Sequence, residues 1–271
     1  MGDVVSKLIS FLLKDNPEGE YYAKQALKGE KYQKALLSVL LTIERNSARL
    51  PEEFFNLQDL YIQENLYEKG RVSPFSLPAT KIPNVCLWKG DITRLEVDCV
   101  ACPADPELEG SFVPGLVCVD NKIHLGAGLE LRRKIFEAKK KIKQPINPGF
   151  SLLTEGYNLP ANYIVHVVPP YVGFRPTNQN ILALHKCYEN VFKWMRLKNF
   201  KTVAIPLLGT GRFNFPLKKA VDISLSETKR YFQMYGKDDI KENPIIILIT
   251  DNEEEHNVYR EILEDKEDVA F

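Results

Sequence analysis

The stretch Trp88–Ser111, "WKGDITRLEVDCVACPADPELEGS", decides the fold. It links the end of one short apolar run, "NVCLW" (84–88), to a second, "CVACPA" (99–104). The link is a polar segment, "KGDITRLEVD". Short apolar runs bounded by turn formers predict strands buried within a central sheet. The same kind of run recurs downstream as "FSLLTEG" (150–156), "YIVHVVPP" (163–170), "TVAIPLLGTG" (202–211) and "PIIILITD" (244–251). Helical patterns alternate with them over 120–141, 178–198, 216–235 and 253–264. Strands alternating with helices predict a layered α/β domain.

Upstream the character differs. "DVVSKLISFLLKD" sets Val4, Leu8, Phe11 and Leu12 at helical spacing, and "EKYQKALLSVLLTIERN" does the same with Tyr32, Leu36, Val39, Leu40 and Ile43. Pro51 opens a third helix, with Glu52 and Glu53 at the positive end of its dipole, and Gly70 closes it. "RVSPFSLPATKIP" (71–83) has three prolines and no period, and reads as a linker or wrapping arm. The expected organisation is a helical extension and linker over 1–83, then an α/β domain over 84–271. The acidic end "EDKEDVA" (264–270) reads as a solvated tail.

Lys plus Arg and Asp plus Glu number 36 each, which gives no support for a basic nucleic-acid surface. No apolar run approaches the ~18 residues needed to span a bilayer. The N-terminus lacks the basic start and small-residue cleavage site of a signal peptide. Five scattered cysteines, mostly in apolar runs, fit small buried hydrophobes in a reduced, cytoplasmic setting.

Two loops carry candidate chemistry. "PLLGTGRFNFP" (206–216) follows a predicted strand and precedes a helix. Gly209, Thr210 and Gly211 let the backbone approach a ligand, and successive amides there can form a nest for a phosphate. The alternative is a glycine-rich turn with no ligand. "LEGSFVPGLVCVDNKIH" (108–124) follows "CVACPA". In open α/β sheets ligands gather at the carboxyl ends of strands.

These motifs, in this order, resemble the macrodomains, an ADP-ribose-binding family. "WKGDITRLEVDCVACPADPELEGS" is similar to the family's Gly-Asp-Ile-Thr segment, followed by a strand ending in an Asn-Ala-Ala-Asn turn. "NYIVHVVPPYV" is similar to its His-x-Val-Gly-Pro strand, and "LGTGRFNFPLKKA" to its Ser-Thr-Gly-x-Phe-Gly-x-Pro loop. The resemblance implies a three-layer α/β/α fold with a central mixed sheet. The helical N-terminal region and "GSFVPGLVCVDNKIH" further resemble the zinc-dependent members, a group of protein-ADP-ribose hydrolases. In those, Gly-Cys, two residues and Pro-x-His-x-Cys-x-Asp-Asn-x-Ile-His stand at this place.

The departures matter as much. Ser111 stands at the first zinc cysteine and Leu116 at the zinc histidine, so only Cys118 remains of that set. His124 matches a residue that is not a ligand. A zinc site needs three or four N, S or O ligands, so the expectation is no zinc and no other cofactor. The Asn-Ala-Ala-Asn turn has become Cys102-Pro103-Ala104-Asp105, and Asn214 replaces a glycine. The resemblance assigns Asp91 and Ile92 to the adenine edge and Asp105 to the distal ribose. Gly209, Thr210, Gly211 and Phe213, with Arg212 between them, fall on the diphosphate and distal-ribose loop. Asp120 and Asn121 fall on the family's Asp-Asn pair, with Asp120 the candidate catalytic group. Taken alone, Asp91 also reads as a turn cap and Asp120 as a helix N-cap. His166 reads as a core residue, His185 and His256 as surface or packing residues, and Trp88 and Tyr171 as core or pocket wall. The leading expectation is a domain that binds ADP-ribose, free or on a protein, with hydrolase activity lost or reduced. The alternatives are a zinc-free hydrolase using Asp120, and a non-binding scaffold whose N-terminal helices meet a partner.

Overall fold

The computed structural model describes residues 2–14, 21, 24, 29–43 and 47–265. The predicted solvated tail beyond Asp265 and the end of the second helical pattern, 44–46, lie outside them. The chain forms two compact units that interleave along the sequence. One comprises 1–70, 109–143 and 157–159, the other 71–108, 144–156 and 160–271.

The second unit holds all six strands: β1 (Val85–Lys89), β2 (Cys99–Pro103), β3 (Ser151–Glu155), β4 (Tyr163–Val167), β5 (Thr202–Pro206) and β6 (Ile245–Thr250). Their order across the sheet is β1-β6-β5-β2-β4-β3. Every neighbouring pair is parallel except β3 with β4. The sheet is therefore mixed, and every strand falls inside the apolar run that announced it except β1, which runs one residue further, to Lys89. Val85, Leu87, Cys99, Ala101, Val165, Val167, Val203, Ile205, Ile246 and Leu248 share one buried cluster. Their spacing of two puts them on one face of the pleat. Helices α6 (Asn178–Lys198), α7 (Leu217–Tyr235) and α8 (Glu253–Asp265) add Leu184, Tyr188, Val191, Met195, Val221, Leu225 and Tyr259 to that cluster. Helix α6 starts with a reciprocal cap: Thr177 Oγ1 accepts from Asn180 N at 3.2 Å while Thr177 N donates to Asn180 Oδ1 at 2.9 Å. It ends at Asn199, which adopts φ 54°, a conformation asparagine tolerates.

The first unit holds α1 (Gly2–Leu13), α2 (Glu30–Ile43), α3 (Glu52–Lys69), α4 (Val119–Ala127) and α5 (Leu129–Lys139). Its core joins Val5, Leu8, Ile9 and Leu12 to Leu36, Leu37, Leu40, Leu41, Phe54, Phe55 and Leu129. In α1 the stripe is rotated from the expected one. Val5 and Ile9 are fully packed, and Val4 and Phe11 sit at its margin. The helical pattern predicted over 120–141 is two helices, broken at Gly128 with φ 90°. Buried Gln58 explains the break, since its Oε1 accepts from Leu129 N at 3.1 Å and so caps the second helix. Arg132 on α5 is buried and donates to the carbonyls of Leu41 and Thr42 at 2.7 and 3.1 Å. That serves acceptors at the end of α2.

No helix among the described residues is long and apolar enough to cross a membrane. None of the five cysteines forms a disulfide; four are buried and Cys118 is half-buried.

Candidate functional site

Parallel strands deliver their carboxyl ends to one edge of the sheet. At that edge lie the segments after β1, β6, β5 and β2. The segments carry Asp91 and Ile92, Asp251 to Glu255, Leu207 to Asn214, and Asp105 respectively. The fold thus brings eight of the ten expected ligand and catalytic residues to one edge of one unit, while Asp120 and Asn121 belong to the other.

After β1, Gly90 is required by its neighbour, because a Cβ there would fall 2.2 Å from the Trp88 ring. Trp88 is half-buried and supports the turn. Asp91 then caps a short 3-10 turn over Ile92–Arg94. Its Oδ1 accepts from Thr93 N at 3.1 Å and from Thr93 Oγ1 at 2.6 Å. The turn-cap geometry is thus present, whatever the second oxygen does. The Ile92 N–H donates to no acceptor among the described residues. After β2, Ala104 N donates to Val167 O at 2.8 Å, and Asp105 Oδ1 accepts from Glu107 N and Leu108 N at 2.9 and 3.2 Å. Asp105 therefore holds its own turn.

The loop after β5 is built differently. Gly209 has φ 86° and is tightly enclosed, since a Cβ would lie 3.3 Å from both Leu184 Cδ1 and Phe215 Cβ. Gly211 has φ 50° and open space around it. Phe215 N returns to Gly209 O at 2.9 Å, Asn214 N to Gly211 O at 3.0 Å, and Val172 N donates to Phe213 O at 2.8 Å. Asn214 adopts φ 56°, and its amide donates to the carbonyls of Val172 and Gly173. Leu208 N donates to the buried Tyr188 hydroxyl at 3.2 Å. These bonds fix the loop's carbonyls and its ends. The N–H groups of Gly209, Thr210 and Gly211 donate to no acceptor among the described residues. Three consecutive amides without a protein acceptor are what an anion nest offers. Arg212 is exposed and Phe213 half-buried on the 3-10 turn that follows.

The loop in the first unit is pinned by side chains at its start and middle. Asn121, 1% exposed, accepts from Ser111 N at 2.9 Å and donates to Leu116 O at 2.9 Å. Ser111 Oγ accepts from Val113 N at 3.3 Å. Asp120 is buried, with Oδ1 3.4 Å from His124 Nε2 one helical turn on.

The other histidines have structural partners. His166 is fully buried on β4 and contacts Thr154 Oγ1 at 3.1 Å; burial drives its pKa down to about 3, so the ring is neutral. His185 Nδ1 lies 2.7 Å from Glu227 Oε1, and His256 Nδ1 3.2 Å from Thr250 Oγ1. Tyr171 is exposed rather than core. Sequence reasoning missed Tyr188 and Glu255. One lies in an ordinary helical stripe and the other in a run of three glutamates, so no local signal marks either.

Residues 110–224 match the Macro domain family. A protein-ADP-ribose hydrolase of Treponema medium is 31% identical over 222 residues, 81% of this chain and 84% of that protein. A protein-ADP-ribose hydrolase of Staphylococcus aureus (strain MRSA252) is 30% identical over 192 residues, 70% of this chain and 71% of its own length. The solved Trypanosoma brucei macrodomain in complex with ADP-ribose superposes with a TM-score of 0.61 at 23% identity, covering 87% of this chain and 97% of that one. The chain belongs to the macrodomain family, and relatives that it resembles over most of their length are named protein-ADP-ribose hydrolases.

Proposed function

We propose that this protein binds ADP-ribose, free or attached to a protein, at the carboxyl edge of its parallel strands, without zinc and with hydrolase activity lost or reduced. The observation that carries the reading is the run of three amides at Gly209, Thr210 and Gly211 with no protein acceptor. A diphosphate supplies the acceptors they lack. In this reading Asp91 and the Ile92 amide take the adenine edge, Arg212 and Phe213 flank the diphosphate, and Asp105 lies toward the distal ribose. Asn121 shapes the 111–121 loop, because both ends of its amide are already bonded there.

The donor set at that loop does not suit zinc there. Ser111 has its hydroxyl in a turn, Leu116 has no donor, and Cys118 offers a single thiol, which is short of the three or four ligands zinc takes. A second reading, a zinc-free hydrolase, is favoured by one observation, the buried Asp120–His124 pair. A carboxylate beside an imidazole can orient a water or a ribose hydroxyl.

Two measurements test these readings. Titration calorimetry with ADP-ribose is expected to show saturable binding. No binding would leave the scaffold reading. Incubation with an ADP-ribosylated protein is expected to release little or no ADP-ribose. Robust release, lost on Asp120→Ala, would put the zinc-free hydrolase in its place.

A further inference from the structure

Glu255, in the first turn of α8, meets the side chain of Thr210, the middle residue of the three open amides. Thr210 Oγ1 donates to Glu255 Oε1 at 3.2 Å, and Asp251 N donates to Glu255 Oε2 at 3.1 Å. The Thr210 side chain makes no cap to the 3-10 turn that follows it. Its hydroxyl is thus given to Glu255.

A hydroxyl has one proton. An ionised Glu255 only accepts, so Thr210 must point its proton at the carboxylate and can present only lone pairs elsewhere. Phosphate oxygens also only accept. A protonated Glu255 can instead donate to Thr210 Oγ1, which frees the Thr210 proton for a ligand. We propose that Glu255 sets the direction of the Thr210 hydroxyl proton, so that anion binding at the 209–211 amides tightens as pH falls. This rests on the binding reading above and makes Glu255 a positioning residue that acts through Thr210.

The surroundings of Glu255 favour its protonated form. Burial raises its pKa above the ordinary carboxylate value; the bonds from Asp251 N and Thr210 oppose the rise, and the Asp251 charge adds to it. Tyr188 from α6 and Tyr259 from α8 face the same group, and burial holds both neutral. His256, the next residue, is turned to Thr250. Arg212 lies two residues beyond Thr210 and is exposed.

The test is calorimetry with ADP-ribose between about pH 5.5 and 8, at fixed ionic strength, on the parent protein, Glu255→Gln and Thr210→Ala. The ligand's diphosphate keeps its charge over this range, so a slope reports the protein. The parent is expected to bind about tenfold more tightly at the acid end, about 1.4 kcal/mol. Glu255→Gln, whose amide donates permanently to Thr210, is expected to bind tightly with no slope, and Thr210→Ala weakly with no slope. A slope that survives in either variant while ADP-ribose still binds overturns the role of Glu255 and leaves the binding reading standing. Survival in Thr210→Ala alone would assign the slope to bare charge repulsion instead. No binding by any of the three proteins at any pH overturns both.

Discussion

The loops over 110–118 and 207–214 each lead from a strand end or its turn into a helix, and each carries two glycines at positive φ. They are held by different means. The first depends on one buried side chain, Asn121, whose amide ties down Ser111 N and Leu116 O. The second is held by backbone bonds, by the Tyr188 hydroxyl at its start and by the Asn214 amide at its end, and three of its N–H groups are left over. The first loop is pinned by a side chain at two points, and the second presents three consecutive N–H groups with no acceptor among the described residues. The two loops thus differ in what holds them and in whether their open amides are consecutive.

The largest expected effect comes from acid, on the sheet that carries the second loop. His166 lies in the sheet that carries the second loop and is neutral when folded, with its pKa pushed down to about 3 from an ordinary value of 6.5. The unfolded chain takes up that proton first as pH falls. Stability from this residue is therefore present above about pH 6.5 and is lost progressively toward about pH 3, a loss of several kcal/mol. Denaturant melts across that range should show it, and His166→Gln should flatten the curve.

Asn121→Ala comes next. It strands a buried N–H and a carbonyl at once, so a loss of about 2–4 kcal/mol is expected in urea melts. A loss below about 0.5 kcal/mol would mean that the first loop is not held by that amide. Gly209→Ala tests the second loop. The strained φ costs about 1–2 kcal/mol, and ADP-ribose affinity should fall with it as the amides shift. If that variant melts lower but binds as the parent does, the amides are not the site. The smallest effect concerns metal. Elemental analysis should find far less than one zinc per chain, and Cys118→Ala should change neither the metal content nor the melting point appreciably; one tightly held zinc, lost in that variant, would contradict the reading.

Much of the fold was legible because its strands are bare apolar runs and its longest helix has a clean stripe from Leu184 to Met195. The break at Gly128 was not, because the cap for the next helix comes from Gln58, about seventy positions away. Gly209, Thr210 and Gly211 were singled out by the glycine-rich turn after a strand, and Asp91, Asp105, Arg212 and Phe213 by resemblance alone. What their side chains do was not legible, since an aspartate that caps a turn and one that reads a base have the same letter. Glu255 was hidden for a different reason. In a helix-opening run of glutamates nothing distinguishes the one that meets a threonine 45 residues back.

The interleaving of the two units has a consequence for how the chain acquires its structure. Arg132 closes the end of α2 through Leu41 and Thr42, and Leu129 completes the core built by α1, α2 and α3. During synthesis, then, the first seventy residues emerge with an unfinished core and must wait for about sixty more. The intervening stretch includes β1 and β2, whose sheet neighbours come later still. Ribosome-bound chains ending near residue 100 should be protease-sensitive in α2, and protection should appear only once Arg132 has cleared the exit tunnel.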